Sequence, residues 1–347
     1  MRFYQKEHKY YCGIDLHARA MYVCIVNRKG KILYHHNLET SPEILFNIIF
    51  PYLEDIVVCV ECMFCWYWLA DFCREHHIPF VLAHALYLKA IHGGKTKNDK
   101  IDSRKIAMLL RGGNIPMAYA YPKERRAIRD LLRRRMHLMR KRAELLSHIV
   151  NTNSQYNLPP FPKKIAYKGN RNGIAERFAD PHVQKSIELD LCVIDTYDRQ
   201  LREVEHYIEK HAKTCDPTAL YRLKSIPGVG QILSLVLLYE IDDITRFPTV
   251  QDFSSYARLI RPQKVSDGKW AGKSNKKIGN AHLKWAISET AIIMLRESER
   301  IKNLVARLEK RHGKGKALGI FSHKIGRAIY FMLKNDQAFD MNRFIQA

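Results

Sequence analysis

Two apolar runs that each close on a carboxylate constrain this chain more than anything else in it. Tyr10-Tyr11-Cys12-Gly13-Ile14 ends at Asp15, and Ile56-Val57-Val58-Cys59-Val60 ends at Glu61. Runs of this length and composition read as buried strands. Two further acids, Asp99 and Asp102, lie three residues apart at the start of a helix expected over 99–112, so they share one helical face. Carboxylates gathered from two strand ends and a helix repel one another unless a cation sits among them. Hard oxygen ligands of this kind select Mg²⁺ or Mn²⁺. Paired ions can activate water and stabilise a leaving oxygen in phosphodiester cleavage.

The order of elements around these acids is specific. Strands are expected at about 10–16, 20–27 and 32–36, with Arg28-Lys29-Gly30-Lys31 as the second turn. Ser41-Pro42-Glu43 supplies an N-cap, a first-turn proline and an early acid for a helix reaching about Leu53. Strand 56–61, a helix near 66–77, strand 80–83 and the helix carrying Asp99 and Asp102 follow. A three-strand meander and then helix–strand–helix–strand–helix is the order of an RNase H-like fold. In that fold the first and fourth strands are neighbours, which would set Asp15 beside Glu61.

Composition narrows the partner. Fifty-eight Lys and Arg against 35 acids give a formal charge of +23 over 347 residues, a field suited to a polyanion. Binding that releases counterions should weaken steeply with salt. A hydrophobic content of 46% is enough for packed cores and argues against a disordered tail. No apolar stretch reaches membrane-spanning length and Met1–Lys6 lacks a signal-peptide core, so no membrane partner and a cytoplasmic location are expected. Cys59, Cys62, Cys65 and Cys73 cluster near His76 and His77, but Cys59 belongs to a strand and Cys73 to an apolar helix face. Reduced, buried thiols fit them better than zinc.

After Pro122 the pattern becomes helical and basic. Residues 123–142 hold ten Lys or Arg, among them Arg125, Arg126, Arg129, Arg133, Arg134, Arg135 and Arg140, against Glu124 and Asp130. Ile128, Leu131, Leu132, Met136, Leu138 and Met139 recur at helical spacing, which gives an amphipathic helix whose basic face is expected to meet nucleic-acid phosphates. Asn157–Pro162 breaks it. A second long helix over about 184–212 completes what reads as a coiled-coil arm suited to dimerisation. Leu223–Ser234 resembles a helix–hairpin–helix, with Gly228 and Gly230 permitting the turn and its amides able to meet a phosphate. Residues 258–280 form a polar, glycine-punctuated segment carrying Ser266, Lys273, Ser274, Lys276 and Lys277. Helices are expected at about 281–296 and 318–334.

These residues together resemble the DEDD transposases of the insertion-sequence-110 family, which also holds the Piv-type DNA invertases. The likeness covers nearly the whole chain. It is carried by Gly13-Ile14-Asp15, Glu61 and Lys97–Ser103 in the first half. In the second half it is carried by Ile226–Gly230, Ser266-Asp267-Gly268 and Lys277–Trp285. The resemblance implies a RuvC-like catalytic domain over 1–122, a basic helix and arm over 123–215, and a mostly helical transposase domain over 216–347. It further implies that Asp15, Glu61, Asp99 and Asp102 hold Mg²⁺ or Mn²⁺ and that Ser266 attacks DNA to form a phosphoserine, with Ser274 as the alternative nucleophile. The implied partners are donor and target DNA, a structured bridge RNA that pairs with both, and further copies of the chain as a dimer or a synaptic tetramer. A prokaryotic, nucleoid-associated protein is the corresponding location. Two other readings use the same residues: a RuvC-like structure-specific endonuclease that activates water, and a nucleic-acid-binding protein without catalysis.

Overall fold

Residues 2–91, 98–212, 216–260, 263–273 and 278–346 are described in the computed structural model, with the backbone alone at residue 90 and over 263–266 and 270–273. They divide into two compact units, Met1–Glu124 and Arg125–Ala347.

The first unit is built on a five-stranded sheet. Tyr10–Leu16 (β1), Ala20–Asn27 (β2) and Ile32–Glu39 (β3) form an antiparallel meander, and Pro42–Ile49 (α1) leads to Ile56–Glu61 (β4). Trp66–Glu75 (α2), Phe80–Ala83 (β5), Ala85–Ile91 (α3) and Asp99–Arg111 (α4) complete it. The strand order is β3-β2-β1-β4-β5, with β4 parallel to β1 and β5 parallel to β4. This is the order expected above of an RNase H-like sheet. The central strands β1 and β4 are buried along nearly their whole length, as sheets covered on both faces require. One face packs Cys12, Ile14, Val58 and Val60 against Leu45 and Ile49 of α1 and Leu69, Phe72 and Cys73 of α2. The other packs Tyr11, Cys24, Val57 and Cys59 against Ile106, Ala107 and Leu110 of α4.

In the second unit, Lys123–Gln155 (α5), whose first two residues belong to the first unit, and Pro181–His211 (α6) are helices of 33 and 31 residues, each about 50 Å long. They run antiparallel. Arg135 pairs with Glu205, Arg142 with Asp198 and His148 with Asp190, so contacts descend one helix as they climb the other. Beyond α6 come Pro217–Lys224 (α7), Gln231–Ile241 (α8), Val250–Tyr256 (α9), Ala281–Glu297 (α10), Glu299–His312 (α11), Lys314–Lys334 (α12) and Met341–Gln346 (α13). The core forms around α8, whose Ser234–Ile241 are all buried, a stretch apolar on every side apart from Ser234 and Glu240.

Part of the polar, glycine-punctuated segment at 258–280 is a hairpin, Gln263–Ser266 (β6) paired with Lys269–Lys273 (β7). Asp267 (φ +51°) and Gly268 (φ +67°) form its two-residue turn, for which Asp-Gly is favoured because both positions need left-handed backbone. The basic stretch before His312 is helical as α11, capped by Ser298 and anchored by buried Ile301 and Val305.

Candidate functional site

Asp99 comes close to Asp15 because one strand has no side chain at one position. A Cβ at Gly13 would lie 2.3 Å from the Ala107 amide nitrogen and 2.4 Å from the Ser103 carbonyl oxygen, so α4 rests on β1 backbone to backbone. Asp15 is two residues further along β1. Glu61 ends β4 one step past the paired residues Ile14 and Val60. Asn98 caps α4, its side chain accepting from Lys100 N at 2.9 Å, and this sets Asp99 and Asp102 in the first turn, where the helix dipole favours negative charge.

Electrostatics ties the four together. Burial pushes the Asp15 carboxyl up to about 6. The charges of Asp99, Asp102 and Glu61 push the same way, and His17 alone opposes them. Asp15, His17 and Asp99 each offer a ligand atom within 4.8 Å of one another. His17 Nε2 lies 3.6 Å from Asp15 Oδ1 and 3.7 Å from Asp99 Oδ2. Asp102 stands 3.5 Å from Lys105 and, like Glu61, is outside that tight group while still raising Asp15. A half-buried carboxylate among three other acids is stabilised by a bound cation, and this oxygen-rich donor set fits a hard divalent ion. His17 went unread in the sequence, although the two-residue period of a strand places it on the side of Asp15.

The arginines of α5 have mixed surroundings. Arg126 and Arg129 are buried. Arg129 Nε lies 3.2 Å from Glu240 Oε2, and Arg133 grips the same carboxylate at 2.6 and 2.8 Å. Arg125 pairs with Asp242 and Arg135 with Glu205. Arg134 and Arg140 are exposed. Asn280 donates to Glu240 at 2.8 Å while its carbonyl caps α10 at His282 N and Leu283 N. Burial alone would raise Glu240, but the Arg133 hydrogen bond, the charges of Arg129 and Arg133, and the Asn280 amide carry it down to about 2. Much of the basic face is therefore engaged inside the second unit, and neither Glu240 nor Asn280 was singled out from the sequence.

Ser266 is the last residue of β6, opposite Lys269, immediately before the Asp-Gly turn, and Lys273 ends β7. Lys97, Ser274, Lys276 and Lys277 lie outside the described residues. Gly228 takes φ +78°, and a Cβ there would meet Ile293 Cγ2 at 2.1 Å, so packing against α10 demands glycine. Gly230 is the N-cap of α8, with open space around it and no side-chain cap hydrogen bond.

A DEDD transposase family model matches residues 12–157, and a model described as the transposase IS116/IS110/IS902 family matches residues 220–306. The transposase for insertion sequence element IS1111A of Coxiella burnetii (strain RSA 493 / Nine Mile phase I) is 21% identical over 334 residues, spanning 94% of this chain and 90% of that protein.

Proposed function

The chain belongs to the IS110 family of insertion-sequence transposases, enzymes that act on DNA, and on that premise we propose how its residues divide the work. Asp15, Glu61, Asp99 and Asp102 would hold a divalent cation, Mg²⁺ or Mn²⁺. The observation that carries this is the half-buried Asp15 carboxyl, raised to about 6 among three further acids. When bound, such an ion supplies charge neutralisation at a phosphate undergoing displacement.

Ser266 would be the nucleophile, with Ser274 the alternative. Its Oγ would bond to phosphorus as the bond to a sugar oxygen breaks, the hydroxyl proton leaving to solvent and a proton reaching the departing oxygen. The resulting phosphoserine retains the phosphodiester's energy, so rejoining by the reverse attack needs no nucleotide cofactor. The backbone position supports the role: Ser266 is the last strand residue before a two-residue turn, so its main chain is fixed by hairpin pairing.

The remaining assignments concern grip. Arg134 and Arg140 suit direct phosphate contact, and Lys273, Lys276 and Lys277 would flank the nucleophile. Arg125, Arg126, Arg129, Arg133 and Arg135 would act on nucleic acid mainly by holding α5 in place. The Gly228–Gly230 turn and the uncapped amides of α8 suit a helix–hairpin–helix contact to DNA backbone. The antiparallel α5–α6 pair would serve as a coiled-coil arm joining copies into dimers and a synaptic tetramer. The residue blocks 1–122, 123–215 and 216–347 are the corresponding functional parts. A structured bridge RNA would choose donor and target by base pairing, leaving the protein to read backbone and shape.

The test uses nicked substrate and denaturing gels. Wild-type protein should leave a covalent protein–DNA adduct that Ser266→Ala abolishes, while Asp102→Asn should end recombination and keep RNA binding. An undiminished adduct in Ser266→Ala would remove Ser266 from the mechanism.

A further inference from the structure

His17 stands two residues beyond Asp15, where strand alternation returns a side chain to the same face. Its main chain is pinned at both polar groups: the amide donates to the Ala20 carbonyl at 2.9 Å, and the carbonyl accepts from Thr40 Oγ1 at 3.0 Å. The ring is therefore delivered from a fixed turn between β1 and β2. Its Nε2 sits 3.6 Å from Asp15 Oδ1 and 3.7 Å from Asp99 Oδ2. A charge-assisted hydrogen bond would close to about 2.8 Å. Ligands of one ion with bonds near 2.1 Å stand about 3 Å apart when adjacent and about 4 Å apart when opposite. The observed separations lie between these two spacings, and the three ligand atoms all fall within 4.8 Å of one another, too far apart for hydrogen bonds and close enough for one ion to reach all three.

We propose that His17 is a nitrogen ligand of the divalent ion held by Asp15 and Asp99, and that it tilts the site from Mg²⁺ toward Mn²⁺. This rests on the carboxylate reading above and adds to it a ligand outside the four acids. The chemistry follows from donor preference. Mg²⁺ is hard, keeps its waters and seeks carboxylate oxygen, whereas imidazole nitrogen suits first-row transition ions. A site of oxygens alone would separate the two ions weakly. Adding one imidazole raises affinity for Mn²⁺ without a comparable gain for Mg²⁺.

The experiment uses full-length, nucleic-acid-free protein and Mn²⁺ as the probe. Electron spin-echo spectra of bound Mn²⁺ should carry a directly coordinated ¹⁴N signal that His17→Ala removes. His17→Ala should weaken Mn²⁺ binding about tenfold, with a smaller loss for Mg²⁺ measured by competition. Circular dichroism should be unchanged, because the ring is half exposed. Mn²⁺ that binds in an Asp15-dependent way without a nitrogen signal would overturn the proposal and leave the carboxylate reading intact. An equal loss for both ions in His17→Ala would also overturn it. Mn²⁺ binding indifferent to both His17→Ala and Asp15→Asn would remove the carboxylate reading and the proposal together.

Discussion

Asp15 and Glu240 are two shielded carboxylates that the fold treats in opposite ways. Asp15 is driven up to about 6, surrounded by acids and answered within the chain by His17. Glu240 is driven down to about 2, with Arg129, Arg133 and Asn280 all on its oxygens. Burial disfavours charge in both places. The second unit sets its own arginines and Asn280 on Glu240 and so ties α5 and α10 to α8, whereas in the first unit three acids crowd Asp15 and, among the described residues, His17 opposes them. An internally neutralised carboxylate is a fastener. A carboxylate crowded by other acids is the one we assign to a cation.

Removing the fastener should have the largest effect. Glu240→Ala removes the carboxylate that buried Arg129 and part-buried Arg133 both hold, and a buried pair broken on one side costs about 3–5 kcal/mol. Urea unfolding of the purified variant measures this, and a loss under about 1 kcal/mol would erase the contrast with Asp15. The same pair sets an acid limit. Because Glu240's folded pKa lies below its ordinary 4.5, its contribution is complete above that value and is lost as pH falls toward about 2. A shift of that size corresponds to about 3 kcal/mol. Denaturation midpoints at pH 6, 4.5 and 3 should therefore drop across the lower interval, and the drop should be smaller in Glu240→Gln, where the carboxylates of Asp198 and Asp243 still titrate.

Gly13→Ala comes next. The added methyl would force α4 off β1, costing about 2–3 kcal/mol and separating Asp99 and Asp102 from Asp15. Recombination should fall further than stability explains, which comparing activity with the folded fraction would reveal. The smallest effect on folding belongs to the exposed cations. Arg134→Gln with Arg140→Gln should change stability by less than about 0.5 kcal/mol. The same pair should lower the slope of log affinity for DNA against log salt by roughly two, measured by fluorescence anisotropy. Arg129→Gln should do the reverse, losing stability more than slope.

The same contrast explains what the sequence revealed. Asp15 and Glu61 were legible because each ends a buried run, and α4 because Asn98 and the acids behind it form a recognisable helix start. That β1 and β4 are neighbours then followed from the order of elements. The role of Glu240 was not legible: it hides in the apolar run Leu233–Ile241, and its partners stand 107 and 111 residues away. Without it, the α5 arginines read as one solvent-facing stripe. The Asp267-Gly268 turn was visible as a dipeptide, but the flanking Gln, Lys and Ser are weak strand formers and masked the hairpin. His17 was lost because an imidazole two residues past an acid is unremarkable until Gly13 brings α4 down beside it.

The most direct test is calorimetric titration of Mg²⁺ into nucleic-acid-free protein at neutral pH. Wild-type and Ser266→Ala should show the same saturable binding and Asp15→Asn should show none. Binding that persists undiminished in Asp15→Asn would contradict the assignment of the first unit's carboxylates as the cation site.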